Sequence, residues 1–347
     1  MIQDSERRRF LQDLLDAADL PAAWKAFLLS PLPAVIYGAG RQATVVHAFC
    51  LMFGKPVFCL MATDSRRRWG YLPFEEELPL YLAAEFPSKK DKGGFDVVIA
   101  VNPVHNAAVA DTLRNQGWPR LTAVEDWETT NAVTRDAYFA AYLRTKGGRF
   151  ITDADGAKYV ECPFAGGAFR VYYDIDPVYK TNLLGEFGNI VLPSIFGDFS
   201  LAGVIGPYEH GDVVLRPGDV VFTLGANIGL FTCVAAAKGC RVHAFEPTPA
   251  VVENYLSRNA SLYDAITVVP KAVMDRAGKI DFFINDNFAE SMNITQHSIF
   301  GEIEPSYSRI EVEATTIDAY VAENNINRVD FMKVNTQHAE WQSLTGA

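Results

Sequence analysis

The sequence has few of the features that would indicate a secreted, metal-binding or membrane protein. Its five cysteines have no Cys-x-x-Cys spacing and no histidine cluster near them, so neither a disulfide framework nor a structural metal site is expected. No apolar run approaches the length that spans a bilayer. The charged N-terminus also lacks the apolar core of a secretory signal. We therefore predict a reduced, cytoplasmic protein with no metal ion and no membrane attachment.

Clustered basic charge is scarce as well. The net charge is -11 and the isoelectric point is near 5.1. The basic runs are short, at Arg7–Arg9, Arg66–Arg68 and Lys89–Lys90. Because neutralising nucleic-acid phosphates requires clustered lysine and arginine, no nucleic-acid partner is predicted.

The length and composition are those of a soluble globular protein with two α/β domains. At 347 residues, with 49% hydrophobic and 21% charged residues, the chain can form two cores. We predict a helical segment at 1–30 and a Rossmann-like domain of nucleotide-binding type at 31–130. An aromatic-rich connecting segment at 131–210, predicted as short strands and loops, leads to a second Rossmann-like domain at 211–347.

Short apolar runs alternate with helical patterns in both domains, which is typical of doubly wound parallel sheets. The first domain has predicted strands at 33–37, 56–61 and 95–101 and helices at 44–53 and 107–116. The second has predicted strands at 219–224, 241–245, 266–270 and 329–334, with a hairpin-like pair at 279–284 and 310–314.

A first glycine turn, Gly38–Ala43, matches the loose GxGxxA form of the dinucleotide fingerprint. Asp64, 26 positions after Gly38, is a candidate ribose partner, and Arg66–Arg68 would meet a phosphate or form a solvated turn. His105 follows a strand and is interpreted as a loop residue. This turn leaves open an NAD(P)-dependent oxidoreductase.

A second glycine turn, Gly225–Gly229, joins an apolar strand to a helix, and Glu246 ends the next strand 21 positions after Gly225. The first amides of a helix lack internal partners and attract an anionic group, and glycine lets a ligand approach the backbone. Glu246 is placed to accept both hydroxyl protons of a ribose. The Gly-Ala-Asn-Ile-Gly spacing departs from GxGxxG and favours S-adenosylmethionine, whose carboxylate supplies the anion. A tight turn beside a solvated Glu246 is the structural alternative.

Residues 206–347 resemble the FkbM family of S-adenosylmethionine-dependent methyltransferases. Five motifs carry the resemblance: Gly206-Pro-Tyr-Glu209, Gly225-Ala-Asn-Ile-Gly229, Phe245-Glu-Pro247, Ala314-Thr-Thr-Ile-Asp318 and Phe331-Met-Lys-Val-Asn-Thr-Gln-His-Ala-Glu-Trp341.

The resemblance implies a class I methyltransferase fold that binds the cofactor at the carboxyl ends of its strands and methylates hydroxyl groups of sugars or other small metabolites. It implies that Gly225, Ala226, Asn227 and Gly229 line the methionine end, that Glu246 holds the ribose, and that Asn335 belongs to the same site. No catalytic residue is identified.

Four positions depart from the family pattern. Thr223, Asn335 and Gln337 stand where acids are usual, and His338 replaces a glycine whose backbone is expected to need a positive φ. An amide keeps the shape of an acid but makes weaker hydrogen bonds and cannot act as a general base. A catalytically impaired binding module is therefore an alternative. His338 is interpreted as a cap or surface residue rather than a replacement base, and Glu340 as part of the following helix.

The sequence after Val334 supplies the start of one helix, at 339–344. The resemblance implies a seven-stranded sheet in the order 3-2-1-4-5-7-6, so we expect a sheet truncated after its fourth parallel strand. The strand at 329–334 would then be an apolar edge. Either the chain is a fragment, or another chain or the N-terminal region covers this edge. Self-association through the edge is a further prediction.

Overall fold

The structure is a computed structural model that describes residues 21–38, 41–62, 79–83, 86, 91–123, 127–164, 167–198, 208–285 and 307–347. The chain separates into two compact units, 1–142 and 143–347. The predicted boundaries at 30, 130 and 210 stay predictions. The helical pattern predicted before residue 21, together with Asp64 and Arg66–Arg68, lies outside the described residues.

The first unit contains a parallel sheet of five strands in the order β3-β2-β1-β4-β5. Its strands are β1 (Ala34–Tyr37), β2 (Val57–Ala62), β3 (Leu80–Leu82), β4 (Asp96–Ile99) and β5 (Leu121–Ala123). Its helices are α1 (Ala22–Leu29), α2 (Arg41–Phe53), α3 (Asn106–Asn115) and α4 (Trp127–Thr145), which runs into the second unit. Both central strands are fully buried, as their continuous apolar runs predict.

A buried ion pair closes one end of this sheet. The Lys55 ammonium lies 2.7 Å from the Asp96 carboxylate and donates to the Ser30 carbonyl oxygen at 2.8 Å. Burial lowers the pKa of Lys55, and Asp96 opposes that change. Without its partner, either residue would be a buried charge with no group of opposite charge beside it.

The second unit contains a parallel sheet of four described strands in the order β11-β10-β9-β15. They are β9 (Val220–Leu224), β10 (Arg241–Phe245), β11 (Ile266–Val269) and β15 (Phe331–Val334). This order matches the first four positions of the sheet implied by the resemblance. The prediction of a mixed α/β chain with parallel sheets is confirmed.

Two smaller sheets accompany it in the second unit. One is antiparallel and consists of β6 (Arg149–Thr152), β7 (Lys158–Phe164) and β8 (Gly167–Asp174). The other combines β12 (Ala272–Val273), β13 (Gly278–Asn285) and β14 (Tyr307–Thr315), and β13 and β14 pair antiparallel as the hairpin-like pattern indicated. The helices are α5 (Pro177–Phe196), α6 (Leu230–Ala237), α7 (Pro249–Val251), α8 (Ser257–Ala260), α9 (Ile317–Glu323) and α10 (Glu340–Thr345), with a π-helical turn (Val252–Leu256) between α7 and α8.

Both faces of β9 are covered, since alternate residues point to opposite sides of a strand. Phe222 packs in a core cluster with Ile317 and Tyr320 of α9. On the opposite face, the Thr223 hydroxyl lies 3.1 Å from the hydroxyl of Thr232 in α6. β9 therefore packs against helices on both faces, and the glycine turn follows its carboxyl end.

Helix α5 was not predicted. Short strands are present within 131–210, but Gly185, Gly188 and Pro193 obscured a helix of 20 residues in the same segment. The helix begins with Pro177 in its first turn, and the Asp176 carboxylate accepts from the Tyr179 N–H. Its packing against α6 and β8 outweighs the weak helix propensity of glycine and proline.

Candidate active site

A cavity lies at the carboxyl ends of β9, β10 and β15. Gly225, Ala226, Asn227, Glu246 and Asn335 all line it, as expected where parallel strands end at one edge of a sheet. The structure thus brings together five of the six residues predicted to bind a cofactor.

Gly225 is required by the packing of the chain against itself. Its φ is +71°, and a Cβ at this position would lie 2.0 Å from the Asn335 carbonyl oxygen. We predicted that glycine here lets a ligand approach, whereas the close neighbour is the backbone that follows β15. The turn and Asn335 are therefore held against each other, and the Asn335 N–H donates to the Leu224 carbonyl oxygen at 3.1 Å.

The Glu246 carboxylate is fixed by two backbone amides. One oxygen accepts from the Asn227 N–H at 2.9 Å and the other from the Thr248 N–H at 3.0 Å. The turn amide expected to attract a ligand's anionic group thus bonds to the chain's own acid. The residue is 7% exposed, and a carboxylate has about four acceptor positions. Glu246 is therefore oriented and can still accept ligand hydroxyls.

Gly229 has a structural role. It precedes α6 with a φ of +88°, and a Cβ there would lie 2.7 Å from Leu256 Cδ1. It is not among the described residues that line the cavity.

A fully buried asparagine supports the turn from behind. Asn259 donates through Nδ2 to the Ile228 carbonyl oxygen at 2.6 Å and to the Tyr179 hydroxyl at 3.0 Å, and its Oδ1 accepts from the Tyr172 N–H at 2.9 Å. This side chain links the glycine turn to β8 and α5. The sequence carried no signal for the network, because Asn259 lies 31, 80 and 87 residues from its three partners.

The segment after β15 contains the amide substitutions. Gln337 and His338 have φ of 52° and 77°, so the expected positive φ at the position of the missing glycine is present. Asn335 Oδ1 accepts from the Gln337 side chain at 3.4 Å, and His338 is exposed. Glu340, the first residue of α10, accepts from the Thr336 N–H at 2.9 Å.

Lys333 is a buried cation in the cavity wall that the sequence analysis did not single out. It is 7% exposed, donates to the Gly225 carbonyl oxygen at 2.7 Å, and lies 5.4 Å from the centroid of the Tyr208 ring. Burial lowers its pKa to about 8, against the opposing effect of nearby carboxylates, first that of Glu186. It therefore still carries a positive charge at neutral pH.

Glu186 of α5 and Tyr208 complete the polar lining. Burial raises the pKa of Glu186, while Lys333 and the Asn227 side chain lower it. Burial, with a contribution from Glu186, raises the pKa of Tyr208 to about 12. Tyr208 lay within a recognised motif, but Glu186 lies in the helix that the sequence did not predict.

Glu209 of the same motif stabilises the unit instead of lining the cavity. Its carboxylate accepts from the Lys238 ammonium at 2.6 Å and from the Leu215 N–H at 3.0 Å.

Over the described part of the chain, no helix is long and apolar enough to cross a membrane. The described residues also contain no group of three or more His, Cys, Asp and Glu side chains that could hold a metal ion.

The first glycine turn resembles the second in one respect. Gly38 has a φ of +140°, and a Cβ there would lie 2.3 Å from the Ala100 carbonyl oxygen. His105 is exposed at the start of α3. Close packing between β1 and β4 therefore explains the glycine at position 38. The exposed position of His105 indicates no role in ligand binding.

The parallel order of β11-β10-β9-β15, with a glycine turn after the central strand and an acid after its neighbour, defines a methyltransferase-type α/β domain. A sequence model of the methyltransferase FkbM domain matches residues 224–347. These residues form an FkbM methyltransferase domain, and this part of the chain belongs to the FkbM family.

The chain is 27% identical over 167 residues to 31-O-demethyl-FK506 methyltransferase FkbM of Streptomyces tacrolimicus. The match covers 40% of this chain and 62% of that protein. The chain thus matches less than two thirds of the relative's length.

Two solved structures are also similar. Methyltransferase FkbM from Methylobacillus flagellatus is 13% identical, with 99% of this chain and 84% of that chain covered and a TM-score of 0.29. The 16S rRNA N2 G1207 methyltransferase of T. thermophilus, in complex with AdoMet and guanosine, is 14% identical, with 88% and 92% covered and a TM-score of 0.19. Both TM-scores are low, and the fold assignment rests on the strand order described above.

Proposed function

We propose that this chain transfers the methyl group of S-adenosylmethionine to a hydroxyl group of a sugar or other small metabolite. The observation that carries the proposal is Glu246, whose two oxygens are held by the Asn227 and Thr248 amides at the end of β10. A carboxylate at this position of a parallel sheet suits the two hydroxyls of a ribose.

The donor groups around the cavity fit the proposed cofactor. Glu246 would hold the ribose, and apolar residues after β11 and in β13, among them Val273, Met274 and Phe282, would receive the adenine ring. Asn227 and Asn335 present amides beside the glycine turn. When bound, S-adenosylmethionine supplies a methyl group already activated by its sulfonium.

The protein's own contribution is to position the acceptor and keep water away from it. Aligning two reactants in this way is a large part of catalysis for a transfer that needs little bond polarisation. Tyr208 lies in the same cavity and offers a hydroxyl that can hydrogen-bond an acceptor oxygen. Hydroxyl as the acceptor group is also supported by the name of the Streptomyces relative, an O-demethyl-compound methyltransferase.

Incubation of the full chain with S-adenosylmethionine and a panel of sugars and hydroxylated metabolites tests the proposal. Mass spectrometry of the products should detect an added methyl group. The matched comparison restores the substituted acids through Thr223→Asp, Asn335→Asp and Gln337→Glu. Turnover in the restored protein alone would identify the natural chain as an impaired binding module. NAD(P) binding without S-adenosylmethionine binding would favour the oxidoreductase alternative.

The compartment and partners are proposed on separate grounds. None of the five cysteines forms a disulfide in the described part of the chain, which supports a reducing, cytoplasmic location. A small-molecule or carbohydrate substrate is proposed in place of nucleic acid because of the net charge of -11. Self-association along β15 is a proposal that sedimentation measurements can test.

A further inference from the structure

The cavity contains two opposite charges that the proposed function leaves without a role. Glu186 comes from α5 and Lys333 from β15, and both line the cavity that Glu246 and Gly225 also line. Lys333 is 7% exposed. A buried charge is costly unless it is paired or hydrogen-bonded, so a ligand group of opposite sign would stabilise each of them.

The two charges do not meet each other directly. Within the described ranges, none of the ion pairs at 4.0 Å or less joins Glu186 to Lys333. Among the described residues, the Lys333 ammonium donates one hydrogen bond, to the Gly225 carbonyl oxygen, and an ammonium has three protons to donate. The cavity therefore presents a carboxylate and an ammonium that are close enough to interact and still separated.

Asn227 connects this pair to the proposed ribose site. Its backbone N–H bonds to Glu246, and its side chain interacts with Glu186. A ligand whose ribose is held by Glu246 would extend past Asn227 toward Glu186 and Lys333. The group that reaches them must satisfy both charges, since an anion alone would be repelled by Glu186 and a cation alone by Lys333.

We propose that Glu186 and Lys333 bind the zwitterionic amino-acid end of the methyl donor, with Glu186 accepting from its ammonium group and Lys333 donating to its carboxylate. This inference rests on the proposed function. It assigns a binding residue to α5, which precedes the FkbM domain match at 224–347.

Two ligands that differ at this end provide the test. S-adenosylhomocysteine carries the amino-acid group, and 5′-methylthioadenosine lacks it while keeping the ribose and adenine. Calorimetric titration of the full chain should show tighter binding of S-adenosylhomocysteine. In Glu186→Gln, its affinity should fall by about 10-fold or more, the effect of losing one charge-assisted bond, with 5′-methylthioadenosine binding unchanged. Lys333→Met should show the same selectivity, and Glu253→Gln, an exposed position, should bind both ligands as the wild type does.

Binding of 5′-methylthioadenosine also reports whether each variant retains a folded site. Equal weakening of both ligands in Glu186→Gln would overturn the inference, because it would indicate a structural role. Wild-type protein that binds the two ligands equally would overturn it while leaving the proposed function intact. Wild-type protein that binds neither ligand would overturn the proposed function and the inference with it.

Discussion

Replacing Gly225 by alanine should destabilise the second unit more than the same change at Gly218. Both residues have positive φ, +71° and +88°. They differ in space, since a Cβ at Gly225 would lie 2.0 Å from the Asn335 carbonyl oxygen and a Cβ at Gly218 would have nothing within 4 Å. The pair therefore separates the cost of the backbone conformation from the cost of a steric clash.

The expected magnitudes follow from these two terms. An L-residue in the left-handed region costs about 1–2 kcal/mol, which is the whole effect expected for Gly218→Ala. The clash at Gly225 requires β9 and the segment after β15 to move apart, and overpacking of this kind costs about 1–3 kcal/mol more. Gly225→Ala should therefore lower the free energy of unfolding by about 2–5 kcal/mol, a large part of the stability of a typical domain.

Hydrogen exchange in a urea series is the appropriate assay, because peptides from β9 and β15 report the second unit separately from the first. The amides of both strands should lose more protection in Gly225→Ala than in Gly218→Ala. Equal loss in the two variants would refute the view that the close approach of Asn335 requires glycine at 225.

Three further predictions concern buried polar groups. Asn259→Ala should lower the free energy of unfolding by about 2–4 kcal/mol, because it leaves the Tyr172 N–H and other buried groups without partners; a loss below 1 kcal/mol in urea unfolding, on the order of a surface change, would contradict it. Lys55→Met should destabilise the first unit by about 3–5 kcal/mol, and the double variant Lys55→Met with Asp96→Leu should destabilise it by clearly less. If the amides of β1 lost the same hydrogen-exchange protection in the single and the double variant, the two charges would not be coupled. Burial lowers the pKa of Lys333 from 10.5 to about 8, so between pH 8 and pH 10.5 the unfolded chain binds more protons than the folded chain. The stability of the wild type should therefore rise relative to that of Lys333→Met over this pH range. A difference in urea midpoints that stays constant with pH would disprove this shift.

Local sequence patterns were sufficient to predict most of the parallel sheets. β9 and β10 are mostly apolar because both faces of these strands are largely buried, and each strand ends where its predicted range ends. The order of glycine turn and acid also placed Gly225 and Glu246 at the same edge of the sheet.

The parts that could not be predicted depend on contacts distant in sequence. Glu186 lies on a helix whose glycines and proline resemble loop residues, and packing decides its conformation. The packing role of Gly225 could not be predicted for a related reason, since the approach of Asn335 arises only when β15 pairs with β9. The sequence has threonine at position 223, where an acid is usual in the family. Only the structure shows that the Thr223 hydroxyl lies beside that of Thr232.

The most direct test of the account is calorimetric titration of the full chain with S-adenosylmethionine, with Glu246→Gln as the comparison. The wild type should bind one equivalent per chain. Glu246→Gln should bind about 10-fold or more weakly, because the amide accepts from ribose hydroxyls less strongly and no longer holds both backbone amides. Absence of any heat with the wild type at millimolar ligand would contradict the assignment of this cavity to S-adenosylmethionine.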